Sequence, residues 1–319
     1  MTRIAIVGAG YWGTNLARVL SQLGVLYAIC DSDEKNLRRV KSSYPNIPVY
    51  KNASKLIQSD IEGIVIATPP NTHFKLGMAS LMANKHTFIE KPVTTVYGEA
   101  VILNEEAKIR NLVLQVGHTF VYNSGIQKIK EYIDSGELGN IKYIDISYCN
   151  LGKYQAGGVI LDLAAHGLSV ADYLLGGVET TDVKVSKANL NSKDLTDWAN
   201  AVVYYRNGVV LNLSMSWFHP LKVRKFMVIG DKKMTVYDDI NEPRIQIIDK
   251  SVRLQPSVSS WGNSIANYTV GNIVIPPIQL KEPLKEEMKA FIESIETGKH
   301  PIADGEQGKR VTGIMEKLL

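Results

Sequence analysis

An α/β chain of two domains is what three features of the sequence predict. A glycine-rich turn follows a short apolar run, strands and amphipathic helices alternate as far as about residue 116, and long strands then follow one another. The fold class expected is an N-terminal doubly wound parallel sheet followed by an α+β domain whose large, mostly antiparallel sheet is open on one face. The first element is the run Ile4-Ala5-Ile6, which leads into Val7-Gly8-Ala9-Gly10-Tyr11-Trp12-Gly13. It reads as a strand ending in a phosphate-binding turn. Gly8 and Gly10 let the backbone turn tightly and approach a pyrophosphate, and Gly13 lets the next helix, about 14–23, pack close to the strand. Tyr11 and Trp12 share that turn and are candidate cofactor contacts with the glycines. The second apolar run, 25–30, stops at Asp31, eighteen positions beyond Gly13. A carboxylate there can accept from both hydroxyls of an adenosine ribose and repels a 2′-phosphate, which favours NAD, with NADP the alternative. Capping the next helix is the other use open to Asp31. Lys35, Arg38 and Arg39 could reach a 2′-phosphate or simply form a solvated helix face.

Further strands are predicted at 49–50, 63–67, 86–89 and 113–116, each reached by a helical or short crossover. After Gly117 the pattern changes. A helix over 126–135 ends at Gly136-Glu137-Leu138-Gly139, and strands are then expected at 141–149, 182–188, 198–205, 209–217, 225–229, 234–237 and 244–248. Asn207-Gly208 between apolar runs is a hairpin signal. Residues 256–277 read as irregular and polar, and 284–297 as an amphipathic helix. The domains expected are therefore 1–119 for the dinucleotide and 120–319 for substrate and oligomerisation. The open face of the second sheet, read as rich in alternating apolar residues, calls for cover by a second copy, in a homodimer or homotetramer.

Composition removes several classes. A formal net charge of +4 over 319 residues, with basic residues scattered, argues against a nucleic-acid binder. Cys30 and Cys149 are too few and too far apart for a disulfide framework and read as core or half-buried thiols in a reducing compartment. No sustained apolar segment of membrane-spanning length is read in the chain, so the expectation is a cytoplasmic protein with no membrane partner.

Three further motifs carry chemistry. Thr68-Pro69-Pro70-Asn71-Thr72-His73 follows a strand end, where doubly wound folds place ligands, and Thr68, Asn71 and His73 offer polar side chains around the stiff Pro69. Asn71 or Thr72 could also cap the helix that starts near His73. Glu90-Lys91-Pro92 ends another strand. A lysine there can donate to a substrate oxygen and favour its alkoxide, with Glu90 holding the ammonium; a surface ion pair is the plainer reading. In Gly157-Gly158-Val159-Ile160-Leu161-Asp162-Leu163-Ala164-Ala165-His166, Asp162 and His166 stand four apart on one face of an apolar helix. His166 suits a general base because an imidazole titrates near neutrality. A metal pair and a satisfied core pair are the alternatives, and with no further ligand cluster nearby no metal is expected.

These motifs, in this order, resemble the Gfo/Idh/MocA family of NAD(P)-dependent oxidoreductases, and the likeness covers nearly the whole chain. Ala164 stands where a glycine is frequent in the family. The resemblance implies a Rossmann domain and direct hydride transfer between a sugar carbon and nicotinamide. It gives Lys91 the reacting hydroxyl, His166 its proton, and Asp162 a neighbouring hydroxyl or the orientation of the site. The stretches 216–224 and 282–305 resemble the branch that oxidises nucleotide-linked amino sugars at the third ring carbon. There Lys222 and Arg224 would neutralise a diphosphate, a strand-edge salt bridge being equally open, and Tyr154 would line the sugar pocket. A dehydrogenase of free sugars or inositols, and a non-catalytic NAD-binding regulator, are the competing readings.

Overall fold

Residues 2–152, 154–191, 193–255 and 265–319 are described by the computed structural model. The chain divides into two units, Met1–Tyr122 with Lys281–Glu316, and Asn123–Leu280 with Lys317–Leu319.

In the first unit β1 (Ile4–Val7), α1 (Tyr11–Gln22), β2 (Leu26–Cys30), α2 (Glu34–Ser43), β3 (Val49–Tyr50), α3 (Ala53–Ile57) and β4 (Gly63–Ile66) are followed by a 3-10 turn at Pro70–Thr72. Then come α4 (His73–Met82), β5 (His86–Glu90), α5 (Tyr97–Ile109) and β6 (Leu114–Gly117). The strands form one six-stranded parallel sheet in the order β3-β2-β1-β4-β5-β6. All four residues of β1 and of β4 are buried, which is why these strands read as continuous apolar runs. Strand order reverses at β1, and ligands of such sheets bind outside the strand ends at that point.

Residues assigned by sequence to a single second domain, 120–319, are divided differently by the structure. The amphipathic helix α8 (Pro283–Thr297) puts Leu284, Met288 and Phe291 into the core of the first unit beside Leu16, Leu20 and Phe88. Phe291 meets Phe88 edge to face at 5.9 Å between ring centroids. Burying such side chains contributes about 1.5–3 kcal/mol each, which explains why the segment joins this core. α9 (Gly305–Leu318), which periodicity alone did not mark, follows it.

The second unit begins with α6 (Ser124–Asp134), whose N-cap Asn123 accepts from Gly125 N. β7 (Ile141–Leu151), α7 (Gly158–Leu175), β8 (Thr180–Ala188), β9 (Trp198–Tyr205), β10 (Val210–Ser216), β11 (Phe218–Gly230), β12 (Met234–Asp238), β13 (Ile245–Gln255) and β14 (Ile265–Val274) complete it. The eight strands run in the order β14-β13-β12-β11-β7-β10-β9-β8, antiparallel except for the parallel pair β10 and β7. Part of the segment expected to be irregular is thus strand β14, and 256–264 lie outside the described residues.

α7 is long and apolar enough to cross a membrane by length and composition, at mean hydropathy 1.3, unlike the expectation that no segment would qualify. It is mostly buried instead, packing on β7 and β10. The other face of the sheet carries the expected alternating apolar residues, Val202, Val210, Met227 and Val236 among them, but it also holds a polar cluster. At its centre Tyr143 Oη donates to Asp145 (2.7 Å), Asn212 Nδ2 donates to the same carboxylate (2.9 Å), and Asn200 Nδ2 donates to Asn212 and Ser214. Strand alternation put one side chain in two on that face, but it did not fix their polarity.

Candidate active site

In the first unit a cavity of about 850 Å³ opens at the C-terminal ends of β1, β2 and β4, within the roughly 300–1,000 Å³ of small-molecule sites. The glycine turn forms its floor by necessity. Gly8 has φ +98°, and a Cβ on it would lie 2.3 Å from Ala67 O, while a Cβ on Gly13 would lie 1.9 Å from Gly8 O. No other residue fits either place. A Cβ on Gly10, by contrast, would meet nothing within 4 Å. Gly10 is also the N-cap of α1 and supplies no side-chain cap, so the first amides of the helix are left without a side-chain partner beside the cavity. An uncapped helix start facing open space fits a pyrophosphate.

Asp31 lines this cavity at the end of β2. It does not cap α2, a task performed by Asp33. Its Oδ2 accepts from Ala9 N (2.7 Å) and Asn36 Nδ2 (3.2 Å), and its Oδ1 from Asp33 N (2.8 Å). The carboxylate therefore braces the glycine turn and still has acceptor capacity toward the cavity. Arg39, one of the three cations that could have served a 2′-phosphate, donates to Ala9 O at 2.6 Å.

Thr68, Pro69 and Asn71 line the same cavity, as do Asn52 and Lys75, which the sequence did not single out. Thr68 and Thr72 share a hydroxyl hydrogen bond (2.7 Å), and Thr72 stands at the N-cap of α4 but makes no side-chain cap hydrogen bond. His73 is buried, and its ring nitrogens lie 2.8 Å from Pro92 O and 2.8 Å from Thr68 O. It ties the 68–72 loop to the Glu90-Lys91-Pro92 segment. Burial lowers its pKa against the pull of the two carbonyls, and the ring serves as a brace between the two segments.

Glu90 is buried at the end of β5, accepting from the Trp12 indole and, through Oε2, from Lys91 N (3.2 Å). Tyr11, next to that indole, is 85% exposed. Burial pushes the Glu90 carboxyl up to about 7 despite the indole and Lys91. Gly117, opposite on β6, makes room, since a Cβ there would lie 2.7 Å from Glu90 Oε2.

In the second unit Asp162 and His166 line a cavity of about 170 Å³ with Tyr148, Asn150, Lys222 and Arg224. The spacing of α7 and the pairing of β11 with β7 bring these residues together. Tyr148 stacks on His166 with ring centroids 5.7 Å apart. Asp162 accepts from Trp217 Nε1 at 3.2 Å, and Tyr154 packs its ring 5.4 Å from Trp217 while donating to buried Asp197 at 3.1 Å. Arg224 also pairs with Asp239 at 3.3 Å, the salt bridge that was one of the two readings of that residue. Trp217 and Tyr148 were not chosen from sequence as site residues. Their signal was only that each is a large polar-tipped aromatic in or at the end of an apolar run of the second unit.

Models of one family match both parts of the chain. The oxidoreductase model with an NAD-binding Rossmann fold matches residues 2–118, and the C-terminal domain model matches residues 126–236. The chain belongs to the Gfo/Idh/MocA family. As a family member it is an NAD-dependent oxidoreductase. It is similar to a myo-inositol 2-dehydrogenase of Thermotoga maritima, at 25% identity over 96% of this chain and 92% of the relative. It is also similar to a UDP-N-acetylglucosamine 3-dehydrogenase of Acidithiobacillus ferrooxidans, at 24% identity over 97% of this chain and 93% of the relative. A solved structure of that dehydrogenase superposes with a TM-score of 0.84 at 23% identity, covering 99% of this chain and 96% of the other.

Proposed function

We propose that this oxidoreductase transfers a hydride between NAD and a hydroxyl-bearing carbon of a sugar, and that the sugar is nucleotide-activated. The observation that carries this reading is the company around one small cavity: a carboxylate, an imidazole, Lys222 and Arg224. The first two suit a polyhydroxylated ring, and the cations suit a diphosphate. The relative that acts on UDP-N-acetylglucosamine supports it, and the one that acts on myo-inositol supports the alternative of a free sugar or cyclitol.

In this reading NAD, when bound, supplies the hydride acceptor. The amides of α1 and the Asp31 carboxylate hold its phosphate and ribose ends. Lys91 donates to the reacting oxygen and stabilises it as charge develops. His166 takes the hydroxyl proton on a ring nitrogen, with its ring held by Tyr148. Asp162, fixed by Trp217, accepts from a neighbouring hydroxyl, and Tyr154 lines the sugar side. A second copy covers part of the eight-stranded sheet, which exposes Val252, Tyr268, Val270 and Ile273 along β13 and β14. Two free cysteines support a reducing, cytoplasmic location.

The test is a screen of UDP- and other nucleotide sugars, free sugars and inositols for NAD reduction, repeated with Lys91→Met and His166→Ala. Turnover of a nucleotide sugar is expected, reduced by about 10²–10⁴-fold in each variant with NAD affinity kept. Full activity in both variants overturns the roles, and turnover of inositol alone overturns the substrate class.

A further inference from the structure

Glu287 belongs to no motif, yet it is among the most enclosed ionisable groups of the first unit. It lies on the inward stripe of α8 with Leu284 and Phe291, and it is 0% exposed. Its Oε2 accepts from the Thr119 hydroxyl (2.8 Å), and its main-chain oxygen accepts from Gln115 Nε2 (3.1 Å). Its Oε1 is buried and has no hydrogen-bond partner among the described residues. A carboxylate in that setting leaves a buried charged oxygen with no donor among the described residues, whereas a carboxylic acid leaves only a neutral atom there. The charge that acts on it is that of Glu90. Glu90 is the better placed of the two to be ionised, because the Trp12 indole and Lys91 N both donate to it and the Lys91 ammonium attracts it. The imidazole next to Thr119 is already engaged, with His118 Nδ1 2.9 Å from Gln307 Oε1.

We infer that Glu287 is a positioning residue that works as a neutral carboxylic acid behind Glu90, so that the two buried carboxyls carry at most one negative charge and that charge sits beside Lys91. Burial, and then the neighbouring Glu90 carboxylate, hold Glu287 well above the usual carboxylate range, outweighing Thr119. The role rests on the reading in which Lys91 meets the reacting oxygen. A second charge on Glu287 would compete for the ammonium that Glu90 orients.

The inference is tested first on the protein without cofactor or substrate, by denaturant unfolding of wild type and Glu287→Gln from pH 4 to 9. A carboxyl that stays protonated when folded and ionises when unfolded opposes folding increasingly as pH rises above its unfolded value. The glutamine has no such loss. The folding constant of Glu287→Gln should therefore gain on wild type by up to about tenfold per pH unit above about 4.5. A ratio that does not change with pH, or one that falls as pH rises, overturns the inference. The second arm is turnover at pH 7. Glu287→Ala should lower kcat by about tenfold, and Glu287→Gln should recover most of it, because the amide keeps the shape and neutrality of the acid. Equal kcat loss in Glu287→Gln and Glu287→Ala means that ionisation matters and also overturns it. Because the unfolding arm does not involve Lys91, a failed role for Lys91 in turnover leaves that arm standing and is recognised separately.

Discussion

The two cavities are built from different materials. The one at the ends of β1, β2 and β4 is shaped by main chain, by the positive φ of Gly8 and by amides at the start of α1. The one beside α7 is shaped by side chains drawn from α7, β7 and β11. A backbone site recognises a ligand common to many proteins and tolerates few substitutions in its turn. A side-chain site can be rewritten one residue at a time while the fold stays the same.

The sharpest way to break the comparison is at the glycines. Gly13→Ala puts a methyl group 1.9 Å from Gly8 O, so the turn must move. NAD affinity measured by calorimetry should fall by about 100-fold or more, with the fold of the second unit unchanged by circular dichroism. Gly10→Ala meets no protein atom and should fold as wild type. It should still weaken NAD by about tenfold, because its Cβ enters the ligand's space. Equal NAD affinity in both variants and wild type would mean that the pyrophosphate does not rest on this turn.

On the other side a single side chain should carry less. Lys222→Ala removes one exposed cation from the small cavity, and the KM for a nucleotide sugar should rise by about tenfold while that for a free sugar is unchanged. Trp217→Phe keeps an aromatic ring, though a smaller one, and removes the N–H that donates to Asp162. The expected loss is about fivefold in kcat, with NAD affinity intact. If both variants instead weaken NAD, the division between a backbone site and a side-chain site fails.

The same contrast governs what could be read from the sequence. The parallel sheet, the glycine turn and Asp31 were legible because local backbone needs leave fixed spacings. Asp162 and His166 were legible as a pair through the helical period. Trp217 and Tyr148 were not, because their partners are 55 and 18 residues away in sequence and only the packing of α7 on the sheet brings them together. Glu287 left a faint trace, an acidic residue on the apolar stripe 284, 288, 291. His73 and Asp31 were read as ligand groups, but each also braces a loop, because a buried polar side chain takes whatever main-chain partner lies within reach.

The smallest expected effect lies on the frame and leaves both cavities alone. Glu306 at the start of α9 accepts from Asn104 Nδ2 (2.7 Å) on α5, and it pairs with Lys108 and with Lys309 (2.8 Å). Burial alone would raise its pKa, but these donors outweigh it and bring the carboxyl to about 2. A folded value below the unfolded one means that the ion pairs stabilise the protein above about pH 4.5, and that this contribution is lost as pH falls toward 2. The side chain is about one-third exposed, 32%, so solvent screening reduces the effect to about 1 kcal/mol. Glu306→Gln should therefore lower stability by about that amount at pH 7 and match wild type near pH 2, as read by thermal unfolding across pH. NAD affinity and kcat should not change. If they do, α9 is coupled to the glycine turn, and the first cavity depends on side chains far from it as much as the second depends on its own.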